Sequence, residues 1–133
     1  MKFNTFKEIP VWILSIQIAQ EVYRLTNEGR FSRDFALRDQ IRKAIVSVSS
    51  NIAEGFERDN NNEFIRFLKI SKGSLGEVKS QLYLSTHIGY IDKVSYSLLD
   101  NRLIDLDKQL GSFILYLEYK REKKEFLNKR KHN

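Results

Sequence analysis

The sequence predicts an all-α protein, an up-down antiparallel four-helix bundle. Three observations carry that expectation: apolar residues recur at helical spacing through nearly the whole chain, the breaks between periodic stretches are short, and the single proline stands near the start of the first stretch, where a missing N–H costs least. With 133 residues the chain fits one domain that can bury a core without disulfides or metal.

Four helices are expected, at 8–27, 33–57, 60–88 and 93–124, separated by "TNEGRFS", "RDNNN" and "IGYID". The first is apolar on two sides. Trp12, Ile16, Ala19 and Tyr23 make one face, while Val11, Leu14, Ile18, Val22 and Leu25 make another, roughly 130° away at 100° per residue. One bundle interior does not easily cover both, so the second face is expected to form a self-association interface. The alternative is that "MKFNTF" folds back and covers the helix with Phe3 and Phe6. The second helix carries the stripe Leu37, Ile41, Ile45, Val48, Ile52, Phe56. In the third, Asn60 with Glu63 has capping-box spacing, Phe64, Leu68, Ser71, Leu75, Val78 and Leu82 form the stripe, and Gly89 suits a left-handed C-cap. The fourth is the cleanest, with Leu99, Leu103, Leu106, Leu110, Phe113 and Leu117. Three stripes joined by short loops imply antiparallel neighbours.

The net charge of +6 is unevenly placed. Residues 120–133 hold seven basic and two acidic groups, a net of +5, which leaves 16 basic and 15 acidic groups for residues 1–119. The body is therefore expected at 1–119 and a basic extension of the last helix at 120–133. Two readings of the extension stay open: an arm that reaches nucleic acid, or a solvating terminus. The absence of cysteine excludes thiolate metal sites and a cysteine nucleophile, and agrees with a reducing compartment. Near the N-terminus "IPVWILSIQIA" is interrupted by Gln17 and no A-x-A pattern follows, so neither a signal peptide nor a membrane span is expected and the cytoplasm is the expected location.

The run "SVSSNIAEGFER" (47–58) interrupts the second helix with polar residues. Gln40, Ala44, Ser47, Asn51, Glu54 and Arg58 keep helical time on a stripe roughly 110° from the apolar one, and Ile70, Ser74, Glu77 and Gln81 make a matching flank on the third helix. Small residues Ala44, Ser47, Gly73 and Ser74 would permit close approach. The favoured reading is an interhelical polar layer of Gln40, Ser47, Asn51, Glu54, Ser74, Glu77 and Gln81 that fixes register or subunit orientation. Glu54 and Glu77 as a general acid and base would need a cleft with a nucleophile or metal, which the sequence does not display.

"QIRKAIVSVSSNIAEGFER" (40–58), "EFIRFLKISKGSLGEVKSQL" (63–82) and "GYI" (89–91) resemble the bacterial four-helix bundle proteins encoded within intervening sequences of 23S ribosomal RNA genes. The same small-bundle family is similar to the accessory variability protein of diversity-generating retroelements. The resemblance covers about residues 11–118 and rests on N-I-A-E-G and G-S-L-x-E. It implies a homopentamer, with a basic surface in the retroelement members that engages nucleic acid and reverse transcriptase. Gln40, Arg42, Asn51 to Gly55, Arg58, Gly73, Ser74 and Glu77 match; Ser49 stands where many members have proline and Ser71 where alanine is usual.

A nucleic-acid surface is expected on the outward face of the third helix, from Arg66, Lys69, Lys72, Lys79, Tyr83 and His87, with Arg42 extending it; no acidic residue of that helix falls inside the sector. Catalysis finds no support. Neither histidine has a glutamate three residues before it, no arginine precedes His87 at R-x4-6-H spacing, and there is no glycine-rich phosphate loop. No catalytic residue, metal or cofactor is assigned. The expected function is an oligomeric bundle that binds RNA or DNA, preferably structured RNA, or that serves as adaptor for a reverse transcriptase or other nucleic-acid enzyme; the alternative is a purely structural or protein-interaction ring.

Overall fold

The computed structural model describes residues 3–132, with side chains through 123. Four helices, α1 (Pro10–Thr26), α2 (Phe35–Glu57), α3 (Asn61–Ile88) and α4 (Lys93–His132), pack as an up-down bundle in which α1 and α3 each border α2 and α4. Short 3₁₀ turns at Phe6–Glu8 and Gly29–Arg33 precede α1 and α2.

Each boundary has a local cause. Pro10 opens α1 at its first position, where its missing N–H is no loss. Asp34 accepts a hydrogen bond from Leu37 N at 3.1 Å, so α2 begins at Phe35, two residues later than periodicity suggested. Asn60 accepts from Glu63 N at 3.0 Å, as the capping-box spacing implied. Between them Asp59 takes a left-handed φ of 52°, which lets α2 and α3 join in a tight turn. Gly89 closes α3 with φ 89°. Asp92 starts α4: Oδ1 accepts from Ser95 N and Oδ2 from Ser95 Oγ, both at 2.8 Å, and these bonds hold its carboxyl below the ordinary value.

The core stripes lie where the spacing put them. Ile41, Ile45, Val48 and Ile52 of α2, Leu68, Ser71, Leu75, Val78 and Leu82 of α3, and Leu103, Leu106 and Leu110 of α4 are all completely buried. On α4, Ile114 is buried in the turn where Phe113 is only partly so.

For α1 the expectation is corrected. Val11, Ile18 and Val22 are buried inside their own bundle, and Leu14 and Leu25 pack against it partly buried, so this face is closed to a second copy. Of the other apolar face, Trp12 and Ala19 also pack against the core partly buried, Ile16 is half-buried and Tyr23 is exposed, while Ile13, Gln17, Gln20 and Arg24 are the residues left outermost. Phe6 meets the Trp12 ring edge-on at 5.0 Å, Phe3 and Phe6 pack against the core, and the Arg42 guanidinium lies 4.5 Å from the Tyr23 ring centroid. Both apolar faces therefore pack toward the bundle, one mostly and the other in part.

The α1–α2 and α3–α4 loops are clasped together at one end of the bundle. Tyr90 donates its hydroxyl hydrogen to Asp34 Oδ2 at 2.9 Å, and Arg30 donates to Gly89 O at 3.2 Å. The same Asp34 carboxylate caps α2, so one residue ties the α3–α4 loop to the start of α2; the hydrogen bond it accepts from the phenol raises the Tyr90 pKa.

Candidate nucleic-acid interface

The polar seam between α2 and α3 exists. Ser47 Oγ and Ser74 Oγ are hydrogen-bonded at 2.9 Å, Asn51 Nδ2 donates to Ser47 O at 2.7 Å and to Ser47 Oγ at 3.0 Å, and Gln81 Nε2 donates to Gln40 Oε1 at 3.3 Å. Deeper in, Ser71 Oγ crosses from α3 to the backbone oxygen of Val48 at 2.8 Å. The seam therefore works as a ruler. Gln40 opposite Gln81 and Ser47 opposite Ser74 agree on one antiparallel register; the serine pair is partly buried and costly to leave unmatched, while the glutamine pair is exposed.

Not every expected member joins it. Glu54 turns outward to Arg58, 2.8 Å away along the same helix, and is half exposed. Glu77 is exposed and level with Ala44, about ten residues or ~15 Å along α2 from Glu54. The two carboxylates do not face each other, which removes the geometric basis for an acid–base pair. An open cleft of about 380 Å³ remains over the seam, lined by Gln40, Lys43, Ala44, Ser47, Ser74, Glu77 and Gln81, with Gln81 Oε1 buried and lacking a hydrogen-bond partner among the described residues.

Close approach comes from a glycine that spacing did not single out. A Cβ at Gly55 would lie 2.8 Å from Phe67 Cβ and 2.9 Å from Phe64 Cδ1, whereas one at Gly73 would meet nothing within 4 Å. The Gly of N-I-A-E-G is thus where α3 and its two phenylalanines press against α2. The helix is continuous through it.

The basic face of α3 carries acidic partners. Glu63 of α3 pairs with Arg66, and α4 supplies the acids that meet the lysines. Lys72 Nζ lies 2.9 Å from Asp107 Oδ1, Lys79 Nζ 4.0 Å from Asp107 Oδ2, and Lys69 Nζ 3.2 Å from Glu118 Oε1. Arg66 bonds Glu63 one turn back at 2.7 Å and stacks at 4.5 Å on Phe67; the hydrogen bond raises the guanidinium pKa and lowers that of the carboxyl. Arg42 turns away from this face altogether: its Nε donates to Thr26 Oγ1 at 2.9 Å and its Nη2 to Tyr23 O at 3.3 Å, tying α2 to the end of α1. Tyr83 and His87 are exposed and meet edge-on at 4.8 Å, with Tyr96 of α4 at 5.9 Å from Tyr83. The lysine ladder is mainly a set of bridges from α3 to α4.

Past that ladder the charge changes character. Arg121 Nη1 donates to Asn62 Oδ1 at 3.2 Å, so Arg121 sits level with the start of α3. Helix α4 continues to His132, roughly 16 Å further at 1.5 Å per residue. Lys120 and Lys123 lie over the rings of Tyr116 and Tyr119, at 5.6 and 5.9 Å. The remaining basic residues of the extension, Lys124, Lys129, Arg130 and Lys131, fall outside the described side chains. Among the described residues, no cluster of three or more histidine, cysteine or carboxylate groups could hold a metal ion, and no helix is long and apolar enough to cross a membrane.

Fold and seam together define a four-helix bundle whose central hairpin is set in register by polar and small side chains. Residues 7–112 match the model of the 23S rRNA-intervening sequence protein family, and the chain belongs to that family. Its fold is similar to the crystal structure, at 1.70 Å resolution, of a protein with unknown function from the S23 ribosomal protein family of Bacteroides thetaiotaomicron VPI-5482, with a TM-score of 0.72 and 24% identity over 78% of this chain and 97% of that one. No curated protein matches the chain. The family match ends inside α4, before the basic extension begins.

Proposed function

We propose that the chain is a self-associating, non-enzymatic bundle that binds nucleic acid, preferably structured RNA, through the far end of α4. The observation that carries this reading is the separation of charge: the body is close to neutral, and the excess of +5 lies on residues 120–132 of a helix that runs on beyond the start of α3. Lysine and arginine on such an arm neutralise phosphates and release counterions, while the α3 lysines are already matched by Asp107 and Glu118. Self-association is supported by large apolar side chains left in water on the outer side of α4, with Val94 70%, Leu98 65% and Leu115 67% exposed. Several copies would turn weak arms into one avid surface, and the same assembly could present a nucleic-acid enzyme to its substrate. The 23S rRNA gene context of the family favours RNA over DNA.

Binding to a structured RNA and to duplex DNA, measured across a range of salt concentrations, tests this. Changing Lys123, Lys124, Lys129, Arg130 and Lys131 to Gln together should weaken binding and flatten the dependence of log K on log salt by roughly 0.7–0.9 for each phosphate no longer neutralised. Lys69→Glu with Lys79→Glu should leave that slope nearly unchanged. The reverse pattern would return the interface to α3, and no binding by the unaltered protein would favour the ring that serves protein interaction alone.

A further inference from the structure

The N-terminal turn and α4 enclose a cleft of about 350 Å³ that the proposed nucleic-acid role leaves unused. Its walls are Phe3, Ile9, Val11 and Phe113, with Pro10 at one side, and its rim is polar: Lys108, Gln109 and Ser112 of α4. Ile9 and Val11 are buried and Phe3 and Phe113 half-buried, so the floor belongs to the hydrophobic core and opens directly onto it. Size and composition suit a small ligand: sites for such ligands run from about 300 Å³ upward, mostly apolar with a few placed polar groups. At the ~30 Å³ that one water takes up in the liquid, the cleft corresponds to about a dozen waters.

We propose that this cleft binds an amphipathic monocarboxylate, an apolar chain or ring of about ten carbons with one carboxylate at the mouth. The charge at the rim selects the head group. Lys108 is exposed and makes no ion pair among the described residues. The carboxylate one turn before it, Asp105, accepts a hydrogen bond from Gln109 Nε2 at 3.2 Å, and Glu8 of the N-terminal turn accepts from Asn4 N at 2.8 Å. The ammonium at the mouth is thus available to an incoming anion, while Phe3, Ile9, Val11 and Phe113 take the chain. An ammonium head group would meet Lys108 as a like charge, and a neutral one would gain only the chain's burial.

Calorimetric titration of the full chain with decanoate, kept below its micelle concentration, tests the site against decanol and decyltrimethylammonium as probes with the same tail. Decanoate is expected to bind saturably at one site per chain and to perturb the amide resonances of Val11 and Phe113. Lys108→Glu should weaken decanoate at least tenfold and leave decanol unchanged; Lys108→Gln should fall between. Ser112→Phe, at an exposed position facing the cleft, should block all three probes without lowering the melting temperature. Equal affinity for the cationic probe, an unchanged decanoate affinity in both Lys108 variants, or the absence of saturable binding would overturn the proposal.

Discussion

The boundary between α2 and α3 and the boundary between α1 and α4 are built in opposite ways. The first is closed at several depths: Gly55 admits Phe64 and Phe67, Ser71 reaches the Val48 carbonyl from one completely buried position to another, and Ser47 meets Ser74 nearer the surface. The second has Arg102 donating to Gln17 at 3.2 Å in the open, with a cleft of about 350 Å³ toward one end and another of about 320 Å³ toward the other. Close packing needs small residues and matched hydrogen bonds at the same places, and the family signature supplies both to the central hairpin. The outer boundary is left with room. A cleft of about 380 Å³ also lies over the polar edge of the hairpin, so the two boundaries differ in how their interiors are packed and not in whether their surfaces are open.

The comparison breaks most visibly at Gly55. Replacement by alanine in a helix normally gains up to ~1 kcal/mol, because glycine has more conformational freedom to lose. Here the new methyl would meet Phe67 Cβ, an atom fixed to the α3 backbone, at 2.8 Å, so the two helices must part. Gly55→Ala is expected to lower stability by about 1–3 kcal/mol, measured from urea unfolding midpoints. Gly73→Ala, with nothing within 4 Å of the added atom, is its control and should be neutral or stabilising. If both variants moved the midpoint the same way, the hairpin would not be closely packed at Gly55.

Much of this was legible in the sequence, and the part that was not shares one cause. Stripes, the Asn60 and Gly89 caps and the partnership of Ser47, Asn51 and Ser74 depend on a helix and its nearest neighbour, which spacing alone describes. The pairing of Lys69, Lys72 and Lys79 depends on which residues of α4 face α3, and a helical sector drawn for α3 cannot contain Asp107 or Glu118. Gly55 rather than Gly73 is the contact point because Phe64 and Phe67 lie against it, and Val11, Ile18 and Val22 are buried by their neighbours, neither of which the spacing within one helix contains. The balance of charge on α3 was hidden for the same reason: charge on a surface is read from every element around it.

A smaller effect is expected at Ser71. Its hydroxyl is completely buried and donates across the hairpin at 2.8 Å, yet the Val48 carbonyl lies within α2 and has its own helical partner. Ser71→Ala, the residue that the family resemblance makes usual at this position, removes the crossing bond without stranding a charge. It should cost about 1 kcal/mol in the same urea titration. A neutral result would mean that the crossing bond adds orientation but no net stability.

Arg102→Ala is the matching probe of the open side and should have the smallest effect. Arg102 is half-exposed and its guanidinium touches an exposed Gln17, so water replaces the bond with little penalty, and its cleft already admits solvent beside Ser95 and Leu98. The expected loss is within ~0.5 kcal/mol, the range of ordinary surface substitutions. Because Ser71 and Arg102 share no partner, their double variant should lose the sum of the two single effects. A loss at Arg102 as large as that at Ser71, or a non-additive double variant, would mean that α1 is held to α4 as firmly as α3 is to α2, and the spare space between them would then be rigid and not yielding.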